Sequence, residues 1–303
     1  MAKKLKFYKI NLDAKKRIEK YVHKFQPYSD FNYLSLYTYN TNDAAEYCFL
    51  NGNLVIKFED YISGEAFYSI LGKQRLNRSI KTLISNAKRE KLQPVLRLVP
   101  EETIKHGRKL HEKWQIEEDE NNFDYIVSSE DIAKAHEAKL PKKKKIIDEF
   151  KAKYPNLKVR KIDLTNRTEQ QKMLNLFDEW ATHDGHLAGD ATTERKALVR
   201  LLDAARNFDK LYALGIYEND KLIAFNTYDL ATPEHGTSSF QKANRSYEGI
   251  YAMLTHEMAK DLHGLGCKYI NFEQDLGIEG LRASKRSWHP VNMLKKYTIS
   301  EKA

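Results

Sequence analysis

The sequence predicts an α/β (α+β) protein of two similar halves, each a mixed, mostly antiparallel sheet with flanking helices. Two observations predict this class. Short apolar segments of strand length alternate with segments whose apolar residues recur at helical spacing, and the order of elements in the first half returns in the second. The chain has 303 residues, of which 41% are hydrophobic, enough for one large core or two ordinary ones.

The first half is predicted from a hairpin followed by a strand, a helix and another strand. Asn51 and Gly52 separate two strand-like segments, and this dipeptide is typical of a tight hairpin turn. The predicted elements are a helix around Ile18–Phe25, strands at Ala45–Leu50, Leu54–Phe58 and Ala66–Leu71, a helix at Leu76–Glu90, a strand at Val95–Val99 and a helix at Glu101–Leu110.

The second half repeats this order around a long amphipathic helix. Ile250, Leu254, Met258 and Leu262 form an apolar stripe at helical spacing. The other predicted elements are a strand at Leu157–Ile162, helices at Met173–Trp180 and Thr192–Asn207, strands at Leu211–Tyr217, Leu222–Leu230, Gly236–Gln241 and Cys267–Phe272, a short helix at Glu279–Ser287 and a final strand at Val291–Ile299.

This succession of elements resembles the GNAT acyltransferase fold, and the first half resembles a degenerate copy of it. Residues 66–110 follow residues 236–281 element for element. The resemblance implies two tandem GNAT-like domains, residues 1–122 and 123–303, with the active site in the second. Trp114–Lys139 is interpreted as a connection whose acidic run is a solvated turn.

Composition narrows the class of protein further. No segment approaches the roughly 20 apolar residues of a membrane span, and the N-terminus lacks the apolar region of a signal peptide. We therefore expect a cytoplasmic protein with no integral membrane segment, and a peripheral position at the membrane stays open. Cys48 and Cys267 are interpreted as buried free thiols. No metal is expected, because His183 and His186 lack a third ligand.

The net charge of +9 is unevenly distributed. Ten basic residues lie between Lys139 and Lys161, against only Asp148 and Glu149. Such a block is typical either of a solvated helix face or of contact with a polyanion, whether tRNA, a nucleotide phosphate or an anionic lipid surface. The candidate nucleic-acid-binding residues within it are Lys142, Lys143, Lys144 and Lys145.

A charged segment follows the predicted strand Cys267–Phe272, where ligands of such sheets commonly bind. Glu273 and Asp275 are the candidate catalytic residues, because carboxylates there orient or neutralise an ammonium group. Arg282 and Lys285, one helical turn apart, are suited to hold a carboxylate or phosphate. The structural alternative is that Asp275 caps the helix while Arg282 pairs with Glu279.

The run Asn271–Lys285 closely resembles the signature of the phosphatidylglycerol lysyltransferase C-terminal domain family, Asn-x-Glu-x-Asp-Leu-Gly-x-x-Gly-Leu-Arg-x-x-Lys. Matches in order and spacing extend over nearly the whole chain, including Phe123–Val127 and Phe240–Ala243. The resemblance implies an aminoacyl-tRNA as co-substrate, no other cofactor, and transfer of the aminoacyl group to a hydroxyl or amine acceptor. That acceptor is a small molecule, a peptide or a lipid head group.

The chain departs from the family pattern at two points. It has Phe272 and Gln274 where the family often has charged residues, and it lacks the membrane portion of the lipid-modifying members.

Two alternatives to a transferase that uses aminoacyl-tRNA remain from the sequence. Acyl-CoA is the alternative donor, although the turn after Gln241, which includes Tyr247 and Glu248, has one glycine rather than a glycine-rich phosphate-binding sequence. Gln241, Tyr247 and Glu248 are the remaining candidate substrate-binding residues. The other alternative is a non-catalytic protein that binds a small ligand or nucleic acid.

Overall fold

The computed structural model describes residues 5–60, 63–107, 109–183 and 188–302, apart from the side chains at 183 and 188–191. Its contacts divide the chain into two compact units. The first unit contains Met1–Asp124, Gln274–Gly277 and Leu294–Ala303, and the second contains Tyr125–Glu273 and Ile278–Met293. The predicted domain boundary after residue 122 stays a prediction.

The described elements follow one another along the chain as strands and helices of ordinary length. The strands are β1 (Tyr8–Lys9), β2 (Glu46–Leu50), β3 (Asn53–Glu59), β4 (Ala66–Leu71), β5 (Leu96–Pro100), β6 (Trp114–Glu118), β7 (Asp124–Ser128), β8 (Lys158–Lys161), β9 (Leu211–Glu218), β10 (Lys221–Thr232), β11 (His235–Ala243), β12 (Tyr269–Asn271), β13 (Asn292–Leu294) and β14 (Lys296–Glu301). The helices are α1 (Lys15–Val22), α2 (Tyr33–Thr38), α3 (Leu76–Arg89), α4 (Glu101–Lys105), α5 (Leu110–Lys113), α6 (Ser129–Ala133), α7 (Pro141–Lys153), α8 (Arg167–His183), α9 (Ala188–Ala204), α10 (Ile250–Gly264) and α11 (Glu279–Arg286).

The first unit is built on a sheet of strand order β1-β2-β3-β4-β5-β14-β6. Its neighbours pair antiparallel except β4 and β5, which are parallel. The predicted hairpin is confirmed: Asn51 and Gly52 have φ values of 52° and 84° and join β2 to β3. A two-residue turn of this kind requires left-handed backbone at both positions, which Asn and Gly tolerate best.

Two sequence interpretations of the first sheet were wrong. The segment Trp114–Lys139, which was interpreted as a connection, contains β6. Glu117 and Glu118 lie in this edge strand rather than in a turn. The final strand of the chain, β14, lies between β5 and β6 in the first sheet, whereas the sequence assigned it to the second half. Both errors have one cause, since a strand's partner depends on residues far away in the sequence.

The second unit is built on a sheet of strand order β13-β7-β12-β11-β10-β9-β8. It repeats the plan of the first, because β11 and β12 are parallel and α10 connects them, as α3 connects β4 and β5. The predicted stripe of α10 is confirmed, since Ile250, Leu254, Met258 and Leu262 are all buried in the core of this unit. Burial of each such side chain contributes roughly 1.5 to 3 kcal/mol.

These observations confirm the predicted fold class, two tandem GNAT-like sheets that are mostly antiparallel and flanked by helices. Among the helices that the structure describes, none combines the length and apolar composition needed to span a bilayer. Cys48 and Cys267 are free and buried, as predicted.

Candidate active site

The two parallel strands of the second sheet separate at their carboxyl ends. β11 and β12 pair only from His235 with Tyr269 to Thr237 with Asn271. Beyond that point β11 continues beside β10, whereas Phe272 donates its backbone N–H to Tyr125 on the other side. In open sheets with helical crossovers, ligands bind outside the carboxyl ends of such strands. The separation of β11 and β12 is therefore the candidate site of the second unit.

Polar side chains lie at this separation. Asn226 and Gln241 are directly opposite each other on β10 and β11, so their side chains share one face of the sheet. Gln241 Nε2 donates to Thr255 Oγ1 at 2.9 Å, and Asn226 Nδ2 donates to Ser238 Oγ at 3.1 Å. Two buried oxygens, Asn226 Oδ1 and Ser239 Oγ, have no hydrogen-bond partner within the described part of the chain. An unpaired buried amide oxygen is costly and favours a ligand that donates a hydrogen bond, and the Ser239 hydroxyl can accept a second one.

Glu273 lies where β12 ends, in a backbone conformation that is rare for its residue type. Its φ is 59°, in the left-handed region, and its side chain is half-buried. Local hydrogen bonds hold it there: Glu273 N donates to Asn271 Oδ1 at 2.7 Å, and Tyr125 N donates to the Glu273 carbonyl at 3.3 Å. Such conformations cost about 1 to 3 kcal/mol and cluster at functional sites.

Asp275 belongs to the first unit and has no exposed surface. Its Oδ1 accepts the backbone N–H of Gly277 at 2.8 Å, and Leu276 N donates to the Asn121 carbonyl at 2.9 Å. Gly277 has a φ of 76°, and a Cβ there would lie 3.2 Å from the Asn121 side chain. The carboxylate thus closes the turn before α11, whose own N-cap, Ile278, makes no side-chain cap bond. This geometry favours a positioning role, and the catalytic role stays a prediction.

Arg282 and Lys285 share one side of α11 in the second unit. Both are half-buried, while the residues between them, Ala283 and Ser284, are exposed. The sequence analysis placed them one turn apart on one face of a helix, and the structure agrees. Two cations with their side chains held on one face are suited to grip a phosphate or a carboxylate.

Gly249, at the end of the turn between β11 and α10, packs against α7. A Cβ on Gly249, whose φ is 85°, would lie 3.0 Å from Ile146 Cγ2 and 3.6 Å from Phe150 Cβ. Tyr247 packs against Tyr154 with ring centroids 5.3 Å apart and donates to Glu218 Oε2 at 2.8 Å. Burial, together with the carboxylate, raises the pKa of Tyr247.

Of the predicted substrate-binding residues, Tyr247 and Glu248 therefore already have protein partners. Glu248 is exposed, and its Oε2 lies 3.4 Å from Lys153 Nζ on α7. Only Gln241 lies at the separation of β11 and β12. The roles of all three stay predictions.

The four lysines of α7 differ in their surroundings. Lys142 is exposed, and Lys143 Nζ lies 4.5 Å from the centroid of the Trp288 ring, where burial lowers its pKa. Lys144 and Lys145 approach Asp148 and Glu149 at 2.5 and 3.7 Å, the i,i+4 spacing of a helix surface. A polyanion would compete with these carboxylates for two of the four lysines.

Sequence reasoning missed a buried cation on the other face of the second sheet. Lys242 Nζ contacts Glu194 Oε1 at 2.8 Å and lies 3.6 Å from the centroid of the Trp180 ring, with 8% of the Lys242 side chain exposed. The available signal was a lysine inside the apolar end of β11, since an inward lysine requires a carboxylate partner.

No cluster of metal-binding side chains is found among the described residues. His186 and the side chain of His183, the histidine pair considered in the sequence, lie outside the described residues. A metal is therefore neither supported nor tested at that pair.

The structure combines two tandem sheets of one plan with polar side chains where β11 and β12 separate. The family model for the C-terminal region of phosphatidylglycerol lysyltransferase matches residues 24–300, and the chain belongs to this family. The resemblance carried by Asn271–Lys285 is thereby confirmed. Membership places the chain among transferases without showing which donor it uses.

Solved structures extend this comparison. A conserved protein of unknown function from Bacteroides thetaiotaomicron VPI-5482 is 27% identical, with a TM-score of 0.87 over 99% of this chain and 100% of that chain. The structure of L-PGS from Bacillus licheniformis is 12% identical, with a TM-score of 0.62 over 94% of this chain and 91% of that chain. A C-terminal DUF2156 domain from Agrobacterium fabrum is 10% identical, with a TM-score of 0.65 over 95% and 93%. The last two likenesses show the fold alone. No curated protein matches the chain.

Proposed function

We propose that this chain is an aminoacyltransferase that takes an aminoacyl group from a charged tRNA and passes it to a hydroxyl or amine acceptor. The acceptor's oxygen or nitrogen bonds to the ester carbonyl carbon, the bond to the tRNA ribose oxygen breaks, and the acceptor's proton ends on that ribose hydroxyl. Family membership supports the transferase class. The choice of donor rests on the charges that each donor carries.

The acceptor oxygens at the separation of β11 and β12 are the observation that carries this choice. An aminoacyl ester presents an ammonium group, which donates hydrogen bonds and has none to accept. Asn226 Oδ1, which can only accept, and the Ser239 hydroxyl, which can accept or donate, are buried without a partner within the described residues, and the half-buried Glu273 adds a carboxylate at the same strand ends. An ammonium group fits this set in hydrogen bonding and in charge.

Acyl-CoA is disfavoured because its pyrophosphate normally requires backbone N–H groups exposed at the turn before a helix. Here Gly249, at the end of that turn, packs against Ile146 and Phe150 of α7, and Glu248 adds a negative charge beside it. We expect weak or no binding of acetyl-CoA in calorimetry. A dissociation constant near 1 μM, about −8 kcal/mol, would contradict the proposal and favour an acyl-CoA-dependent enzyme.

The lysines of α7 are proposed to contact tRNA phosphates. Replacing Lys142–Lys145 with glutamine is expected to weaken tRNA binding. The slope of log affinity against log salt concentration should become shallower by about 0.7 to 0.9 for each lost contact. Titrations at several salt concentrations measure both quantities. The matched control removes four exposed lysines of the first unit, namely Lys88, Lys91, Lys105 and Lys109. Equal effects in both variants would assign the α7 lysines to a solvated face.

The direct test uses total tRNA charged with a mixture of radiolabelled amino acids. In separate reactions, the protein and this tRNA are incubated with phosphatidylglycerol vesicles, with a peptide mixture or with a cell extract as the source of acceptor. We expect label to pass from tRNA to a product that mass spectrometry then identifies. Loss of label no faster than spontaneous hydrolysis, with every acceptor source, would overturn the proposed function.

A further inference from the structure

A wholly buried lysine lies at the centre of a polar network in the first unit. Lys296, on β14, has no exposed surface. Its Nζ contacts Asp124 Oδ1 at 2.8 Å and also forms an ion pair with Asp30 Oδ2. Ser29 completes the network, because its backbone N–H donates to Asp124 Oδ2 at 2.8 Å. Four segments that are distant in sequence meet here: one carries Ser29 and Asp30, and the others carry Asp124, Lys296 and Gln274.

Gln274 brings the signature segment into this network. Its Oε1 lies 3.4 Å from Lys296 Nζ and 2.8 Å from Ser29 Oγ, and its Nε2 donates to Asp30 Oδ1 at 3.3 Å. Ser29 Oγ also lies 2.6 Å from Asp124 Oδ1, so its single hydrogen serves one of these two acceptors at a time. The side chain of Gln274 is therefore held by both its donor and its acceptor end.

Stability alone does not account for such a network. Removing an ammonium group and two carboxylates from water is expensive, and apolar side chains of similar volume often stabilise a core equally well. Burial raises the pKa of Asp30. At Lys296 burial acts to lower the pKa, but the two carboxylates together outweigh it and raise the pKa. An amide at position 274 supplies a donor and an acceptor without adding a third buried carboxylate. What the network provides is a fixed position for Gln274.

That position matters because the next residues have a strained backbone. Leu276 and Gly277 have φ values of 56° and 76°, and each is tied by a single backbone donor, to the Asn121 carbonyl and to Asp275 Oδ1. A non-glycine residue in the left-handed region persists only where its surroundings over-determine it. Gln274 is the covalent neighbour of both Glu273 and Asp275, so holding it restrains the whole turn.

We propose that Asp30, Asp124 and Lys296 are positioning residues, which hold Gln274 and thereby fix the turn Gln274–Gly277 that leads into α11. They act on the transfer reaction only through this turn. The expected effect on transfer rests on the proposed function, whereas the expected effect on the rigidity of the turn does not. The test therefore has two independent arms.

The first arm measures hydrogen exchange of the turn and needs no substrate. Gln274→Met keeps the length of the side chain and removes its hydrogen bonds, so the amides of Leu276 and Gly277 should exchange about tenfold faster. The control is Asn86→Ala, which removes a buried amide of the same unit that donates to the Tyr68 hydroxyl at 2.6 Å and to Glu90 Oε1 at 2.9 Å. Unchanged exchange in Gln274→Met, or equal acceleration of the turn in both variants, would overturn the proposal.

The second arm measures transfer from charged tRNA. Gln274→Met should lower kcat by at least about tenfold with KM for the charged tRNA unchanged, whereas Asn86→Ala should leave both unchanged. Faster exchange of the turn without any transfer by the wild-type protein would refute the proposed function and support the positioning role. Transfer that Gln274→Met leaves unaffected would refute the positioning role and support the proposed function.

Discussion

Replacing Lys296 with methionine is expected to lower the free energy of unfolding by on the order of 3 to 5 kcal/mol. The reason is that the substitution leaves Asp30 and Asp124 buried without their cation. The side chain of Asp124 has no exposed surface and that of Asp30 is 7% exposed, so water cannot take the place of the ammonium group. Urea denaturation of the wild type and the variant measures this loss.

The matched control is Lys88→Met, which breaks an ion pair with Glu301 on the same strand, β14. Both partners of that pair are 51% exposed, and exposed pairs contribute only about 0 to 1 kcal/mol. Combining Lys296→Met with Asp124→Asn should recover part of the loss, because one of the two uncompensated charges is then removed. If Lys296→Met unfolds at the same urea concentration as Lys88→Met, the lysine is not needed to neutralise the carboxylates.

The elements that sequence reasoning predicted correctly carry local signals. The hairpin at Asn51 and Gly52 follows from the conformations that these two residues tolerate, and α10 follows from an apolar stripe within fifteen residues. The duplication of the two sheets was also visible, because the order of elements repeats. Each of these inferences depends on residues that are close together in the chain.

What the sequence did not predict depends on residues far apart. β6 was read as a connection because Gln115, Glu117 and Glu118 make it polar, and a polar edge strand looks like a loop until its partner is known. The buried network was missed for the same reason. Asp124 and Lys296 are separated by 172 positions, and neither has a neighbour in sequence that indicates the other.

The positions of the candidate residues in the fold were predicted in part. Arg282 and Lys285 were placed on one face of a helix from their spacing alone, and they are half-buried while most of α11 is exposed. Asp275 was a candidate catalytic residue, but it is wholly buried and its Oδ1 accepts the backbone N–H of Gly277, which favours a positioning role. The acceptors Asn226 and Ser239 carry no charge, so no sequence pattern set them apart from other polar strand residues.

Arg282→Ala is expected to lower transfer from charged tRNA by at least about 100-fold while leaving the melting temperature nearly unchanged. Loss of a charged group that contacts a substrate phosphate or a developing charge costs about 3 to 4 kcal/mol of transition-state stabilisation. Arg282 is half-buried on a helix none of whose residues is buried, so its removal opens no cavity in a core. Steady-state kinetics and thermal denaturation of the same preparation measure the two effects.

Arg286→Ala provides the control that decides what the loss means. Arg286 lies on the same helix, carries the same charge and is exposed, so both variants weaken the general attraction of a basic protein for tRNA equally. If Arg282→Ala loses transfer activity and Arg286→Ala does not, the Arg282 side chain makes a specific contact with the substrate. Lys285→Ala, on the same side of α11, should then lose activity as Arg282→Ala does. Equal losses in Arg282→Ala and Arg286→Ala would show that only long-range attraction was removed. A large drop in melting temperature in Arg282→Ala would instead make the residue structural and would remove it from the candidate site.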